Sequence, residues 1–110
     1  MPLPKYLQEI ETTRSRSNKQ EHRIAKELKG KTTINSGATF GENDVIVDFC
    51  EIEAKTTKKD SFSVTYADIK KMSRKCSKVK IPIMVVDFEE YKKSVVVMDY
   101  QDFLLIVKNK

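Results

Sequence analysis

Between Asp44 and Lys55 the chain alternates apolar and polar residues across a break too short for anything but a reversal, and this narrows the possible folds more than any other stretch. Asp44-Val45-Ile46-Val47 reads as one strand and Cys50-Glu51-Ile52-Glu53-Ala54-Lys55 as a second, with Asp48-Phe49 as a two-residue turn. The hairpin pairs Val47 with Cys50, Ile46 with Glu51, Val45 with Ile52 and Asp44 with Glu53. Cys50, Ile52 and Ala54 then share one face, and Glu51, Glu53 and Lys55 the other. Directly opposed carboxylates destabilise a sheet, so this register asks for a cation between Asp44 and Glu53, and a hard divalent ion bound through oxygen is the natural candidate. The competing reading makes Glu53 and Lys55 a surface pair reaching Glu42 or Glu51, which leaves the opposed acids unexplained. Glu51 and Asp48 are expected to be solvated.

Other segments supply a frame for the hairpin. Residues 1–16 hold two prolines and no sustained period, and read as a flexible basic arm carrying Arg14 and Arg16. Ser17-Asn18-Lys19-Gln20 has the form of a capping box opening a helix to about Lys29, with Gly30 as its stop. Its stripe is Ile24, Ala25 and Leu28, and one turn earlier the same stripe holds Glu21, either a solvated first-turn acid that suits the helix dipole or a third acid reaching over the hairpin. Lys31 to Asn35 is a short strand candidate. Ser36-Gly37-Ala38-Thr39-Phe40-Gly41 follows as a loop, either a plain connection or one whose backbone donors approach a phosphate.

Thr65-Tyr66-Ala67-Asp68 caps a second helix through about Ser77, with Tyr66, Ile69, Met72 and Cys76 as its buried stripe and Lys70, Lys71, Arg74 and Lys75 around it. Ile81 to Phe88 is a strand covered on both faces, which Pro82 confines to a strand start or an edge. Ser94 to Met98 is a further strand. Asp99 caps a last helix from Tyr100 to about Lys108, and its Phe103, Leu104, Ile106 and Val107 are apolar enough to close a dimer interface. The order is α-β-β-β-α-β-β-α, one α/β domain over residues 17–110.

A net charge of +5 and a pI near 9.2 favour a polyanionic partner without specifying one. No apolar run approaches transmembrane length, and a soluble, cytoplasmic protein is expected. Cys50 and Cys76 lie on apolar faces without metal-ligand spacing and are expected as buried free thiols, while His22 has no partner at ligand spacing.

Together, Glu21, the Ser36-Gly37 loop, Asp44 and Glu53-Ala54-Lys55-Thr56 resemble the PD-(D/E)XK nucleases, and among them the small archaeal and bacteriophage Holliday junction resolvases. The resemblance runs from about Ser17 to Phe88. Asn43 departs from it where the family name has proline, and His22 where archaeal relatives usually have arginine. It implies a restriction-endonuclease-like core with a central mixed five-stranded sheet flanked by helices, a homodimer, and branched four-way DNA as substrate. It further implies that Glu21, Asp44, Glu53 and the main-chain carbonyl of Ala54 hold Mg²⁺ or Mn²⁺, that Lys55 orients or deprotonates the attacking water, and that Ser36 lies near the scissile phosphate.

Arg14, Arg16, Lys19, Arg23, Lys70, Lys71, Arg74 and Lys75 are the candidates for contact with the DNA backbone. The reaction that the resemblance implies is in-line phosphodiester hydrolysis leaving 5′-phosphate and 3′-hydroxyl ends. Two readings compete: another nuclease of this fold acting on flaps, mismatches or duplex, and a basic nucleic-acid-binding module without catalysis.

Overall fold

A computed structural model describes residues 13–33 and 43–109. The arm before residue 13 and the Ser36–Gly41 loop lie outside the described residues. Helix α1 (Thr13–Leu28) leads to β1 (Lys31–Thr32), then to β2 (Val45–Ile46) and β3 (Cys50–Thr57); α2 (Tyr66–Lys75) carries the chain to β4 (Ile81–Phe88) and β5 (Lys93–Val97), and α3 (Tyr100–Lys108) ends it. Five strands make one mixed sheet in the order β1-β2-β3-β4-β5. Among the described strands only β3 and β4 run parallel, and α2 provides the crossover that a parallel pair requires.

The expected hairpin forms in the expected register, with Val45 opposite Ile52 and Ile46 opposite Glu51. The Val47 amide donates to the Cys50 carbonyl at 2.9 Å, so the reversal occupies Asp48 and Phe49. The ladder stops at Val45, however. Asp44 stands just outside it, because its carbonyl accepts from Thr33 N–H at 3.0 Å while its carboxylate turns to β3.

Alternation on β3 and β4 divides the interior. Val45, Val47, Cys50, Ile52, Ala54, Ile83 and Val85 pack on one side with Ile24 and Ala25 of α1, and Met84 and Val86 pack on the other with Met72 of α2. Both cysteines are buried and free. Burial pushes each thiol up to about 11, with neighbouring charges as smaller causes, so neither is a reactive thiolate.

Several expectations need correction. The helix α1 begins four residues before Ser17, so that serine is inside it and no capping box opens it there. Tertiary anchors replace the cap: Gln20 is buried, and Arg16 Nε stands 3.0 Å from Glu89 Oε2. At the other end the left-handed residue that ends the helix is Lys29, with φ of 56°, and not Gly30, the expected stop. Gly30 is needed for another reason, since a Cβ there would lie 2.6 Å from the Ile46 carbonyl oxygen. Leu28 and Tyr66, both placed on buried stripes, are exposed. Of the two positions open to Pro82, a strand start or an edge, the start is the one found: it is the second residue of β4, which lies inside the sheet. The capping box of α2 forms as expected between Thr65 and Asp68, and Asp99 caps α3 by accepting from Gln101 N–H at 2.7 Å.

Candidate functional site

The two acids of the hairpin approach each other from β3 and from the chain entering β2. Asp44 Oδ2 accepts the Ala54 amide at 2.8 Å, which fixes its carboxylate beside the strand carrying Glu53. Glu53 itself is mostly covered, and each of its oxygens faces an ammonium: Lys55 Nζ lies 3.4 Å from Oε1 and Lys75 Nζ 3.4 Å from Oε2. The Lys55 side chain is 43% exposed and that of Lys75, from the end of α2, only 19%, so one amine reaches solvent and the other is largely covered. A recess of about 50 Å³ opens beside them, bordered also by Asp68, Lys71, Met72 and Met84.

Glu21 completes the group from α1. Its pKa is raised to about 7, first by burial and then by the charges of Asp44 and of Glu53. Asp44 is raised as well: burial is the largest cause and Glu53 adds to it, while the Ala54 hydrogen bond, Lys75 and Lys55 pull the other way. Acids from three separate segments therefore act on one another's charge, with two amines offsetting part of it. Among the described residues, no three acidic, histidine or cysteine side chains gather closely enough to hold an ion by themselves. A magnesium site does not require that, because the ion keeps several waters and is bound through one or two carboxylates together with substrate phosphate. The donors are hard oxygens throughout, which fits Mg²⁺ or Mn²⁺ and no softer ion.

Two residues behind this group went unrecognised in the sequence. Gln20, taken as a capping residue, is 3% exposed, and its Nε2 donates to the Lys55 carbonyl at 2.7 Å and to the Val85 carbonyl at 3.4 Å. Its signal was available, since Gln20 lies one turn before Ile24 on the buried face. Asn43, the position where the family name has proline, is fully buried and donates from Nδ2 to Glu51 Oε1 at 3.1 Å. Glu51 is accordingly buried and not solvated: its other oxygen accepts from Ser77 N–H at 3.0 Å. Asp48 is exposed, as expected.

The basic candidates divide by helix. Arg23 forms a two-pronged pair with Asp87 at 2.8 and 3.0 Å, and Arg16 faces Glu89, so both guanidiniums are committed within the fold. With Lys19 they border a cleft of about 380 Å³ between α1 and the β4–β5 turn. Burial pushes Asp87 up, but hydrogen bonds from Arg23 and Ser94 outweigh it and leave the carboxyl below its ordinary range. On α2, Lys70, Lys71 and Arg74 are exposed, whereas Lys75 turns inward to Glu53. The side chain of Arg14 and all of Ser36 lie outside the described residues, and no helix among them is long and apolar enough to cross a membrane. Compared with protein-family models, curated proteins and solved structures, the chain gives no match.

Proposed function

We propose that this chain is a metal-dependent endodeoxyribonuclease with a restriction-endonuclease-like core, acting on branched DNA of the four-way type as a homodimer. One observation carries the reading: Glu21, Asp44 and Glu53, drawn from α1, the entry to β2 and β3, share a single electrostatic neighbourhood beside Lys55. Acids with raised pKa values, drawn with two amines from four segments beside a recess, are the kind of cluster that marks a functional site.

In this reading Asp44, Glu53, the Ala54 carbonyl and Glu21 hold Mg²⁺ or Mn²⁺, directly or through water. The ion, when bound, supplies Lewis-acid stabilisation of phosphoryl charge and lowers the pKa of a water. The protein's own share is positional. Asp44 is fixed by the Ala54 amide, so its carboxylate needs little reorganisation. Lys55, half exposed and tethered to Glu53, has the freedom to turn its ammonium toward an attacking water or a phosphate oxygen. Glu21, with its raised pKa near neutrality, is the acid best suited to exchange a proton. Exposed Lys70, Lys71 and Arg74 on α2, with Lys19 of α1, are placed in contact with backbone phosphates and select by shape and charge instead of base sequence.

A labelled four-way junction incubated with purified protein tests this. Mg²⁺-dependent nicking is expected for the natural chain and a loss of at least 100-fold for Lys55→Ala, with junction binding retained. Equal cleavage of linear duplex would reassign the substrate, and metal-independent binding without cleavage would leave only a basic binding module.

A further inference from the structure

We propose that Lys75 is a built-in counter-ion, an ammonium that a divalent cation must displace from Glu53 before the site is loaded; the inference rests on the nuclease reading above. Lys75 stands in a run of basic residues that reads as a phosphate-binding face, yet the fold removes it from that face. Its Nζ lies 3.4 Å from Glu53 Oε2, on the opposite side of the carboxylate from Lys55. It comes from the last turn of α2, immediately before the Cys76 cap, so its backbone is fixed, and its side chain is 19% exposed.

The two lysines differ in what they hold. Lys55 is on the same strand as Glu53 and reaches solvent. Lys75 comes from a different element and is buried by comparison, with its Nζ on the other Glu53 oxygen. Without it, the Glu53 carboxylate would keep a single, exposed amine beside it. A divalent ion provides the same compensation with twice the charge at the same Glu53 carboxylate, where it and the Lys75 ammonium repel each other. The two cations are therefore competitors for one acceptor. Loading becomes an exchange in which an ammonium withdraws as the metal enters, and metal affinity is weaker than the acids alone would give.

Manganese titration of the full chain by calorimetry, alongside thermal unfolding in EDTA, tests the exchange. Lys75→Gln is expected to bind Mn²⁺ about tenfold more tightly than the natural chain, as removal of a unit charge a few ångströms from a dication implies. It is also expected to melt at lower temperature in EDTA and to regain the difference on adding Mn²⁺. Lys78→Gln, an exposed neighbour with the same loss of charge, controls for net charge. If Lys75→Gln binds no more tightly than Lys78→Gln, the counter-ion proposal is overturned while the nuclease reading stands. If Mn²⁺ binding is absent, or survives Asp44→Asn and Glu53→Gln, the nuclease reading falls and the proposal with it. Should Lys75→Gln fail to fold, Lys75→Arg gives the opposite sign: a guanidinium that can grip both Glu53 oxygens should bind Mn²⁺ more weakly than the natural chain, and equal or tighter binding would overturn the proposal.

Discussion

Gln20 Nε2 donates to the main-chain carbonyl of Lys55 at 2.7 Å, and this bond fastens the helix bearing Glu21 to the strand bearing Glu53. Gln20 and Glu21 are consecutive, so the position of one sets the position of the other. The amide is buried, and its Oε1 finds no hydrogen-bond partner, a cost the fold accepts in order to keep the donor in place. Gln20→Leu should lose about 1–3 kcal/mol in urea unfolding. Junction cleavage should fall further than that stability loss accounts for, because Glu21 is no longer held. Full cleavage by a folded Gln20→Leu protein would show that the link is structural only.

Asn43 and Glu51 form the second internal brace. Asn43 Nδ2 serves Glu51 and lies 3.4 Å from the Met72 carbonyl, while the remaining Glu51 oxygen receives Ser77 N–H, so the entry to β2 is tied to both ends of α2's final turns. Asn43→Asp places a second carboxylate against a buried one and should cost about 2–4 kcal/mol at neutral pH. Glu51→Gln keeps the shape and should cost less, about 1–2 kcal/mol. Denaturation midpoints in the reverse order would refute this assignment.

Protonation of Glu21 gives a pH signature. A carboxyl with a folded pKa near 7 against an ordinary 4.5 binds its proton more tightly in the folded chain than in the unfolded one. The stability it contributes is complete below pH 4.5 and is lost as pH rises through about 7. Because the carboxyl is only partly buried and water still screens it, we expect about 1–2 kcal/mol across this window, less than the full shift would give. Glu21→Gln should flatten the profile and be the more stable protein at pH 8. Mg²⁺ should also stabilise the natural chain at pH 8 more than at pH 5, which thermal melts at the two pH values will read directly.

The sequence made the hairpin legible because period-2 alternation and a two-residue turn are local signals, and its register leaves little choice once one face is apolar. The caps at Thr65 and Asp99 were legible for the same reason. Long-range partners were not. Whether Lys75 meets phosphate or Glu53, whether Arg23 meets DNA or Asp87, and whether Glu51 is wet or braced by Asn43 depends on residues 8 to 64 positions away, and charge alone does not choose among them. The early start of α1 had the same cause: Arg16 and Gln20 are held by β3, β4 and the turn after it, and tertiary anchoring overrode a good capping sequence.

The last helix makes a claim about assembly. A nine-residue helix is marginal alone, yet α3 has no buried residue, with Tyr100, Phe103, Leu105, Ile106 and Val107 all at least 39% exposed. Beside it β5 has one edge without a partner strand among the described residues and shows Val95 and Val96. Antiparallel pairing of β5 with its own copy about Val95 would set Lys93 opposite Val97 and Ser94 opposite Val96, so no like charges meet and Lys93 approaches the Asp99 end of the second copy. Tyr100, Phe103 and Val107 lie along one side of α3, the two rings 6.4 Å apart, and would be covered in the same contact. We therefore expect sedimentation equilibrium to give a dimer. The double change Phe103→Glu and Val107→Glu should raise its dissociation constant at least 100-fold, since each side chain is worth about 1.5–3 kcal/mol when fully covered. The dissociated protein should keep its nicking chemistry on single sites but lose paired incision of one junction, because symmetric cuts need two sites held at fixed separation. A natural chain that sediments as a monomer, or a double variant that still cuts in pairs, would remove α3 from the interface.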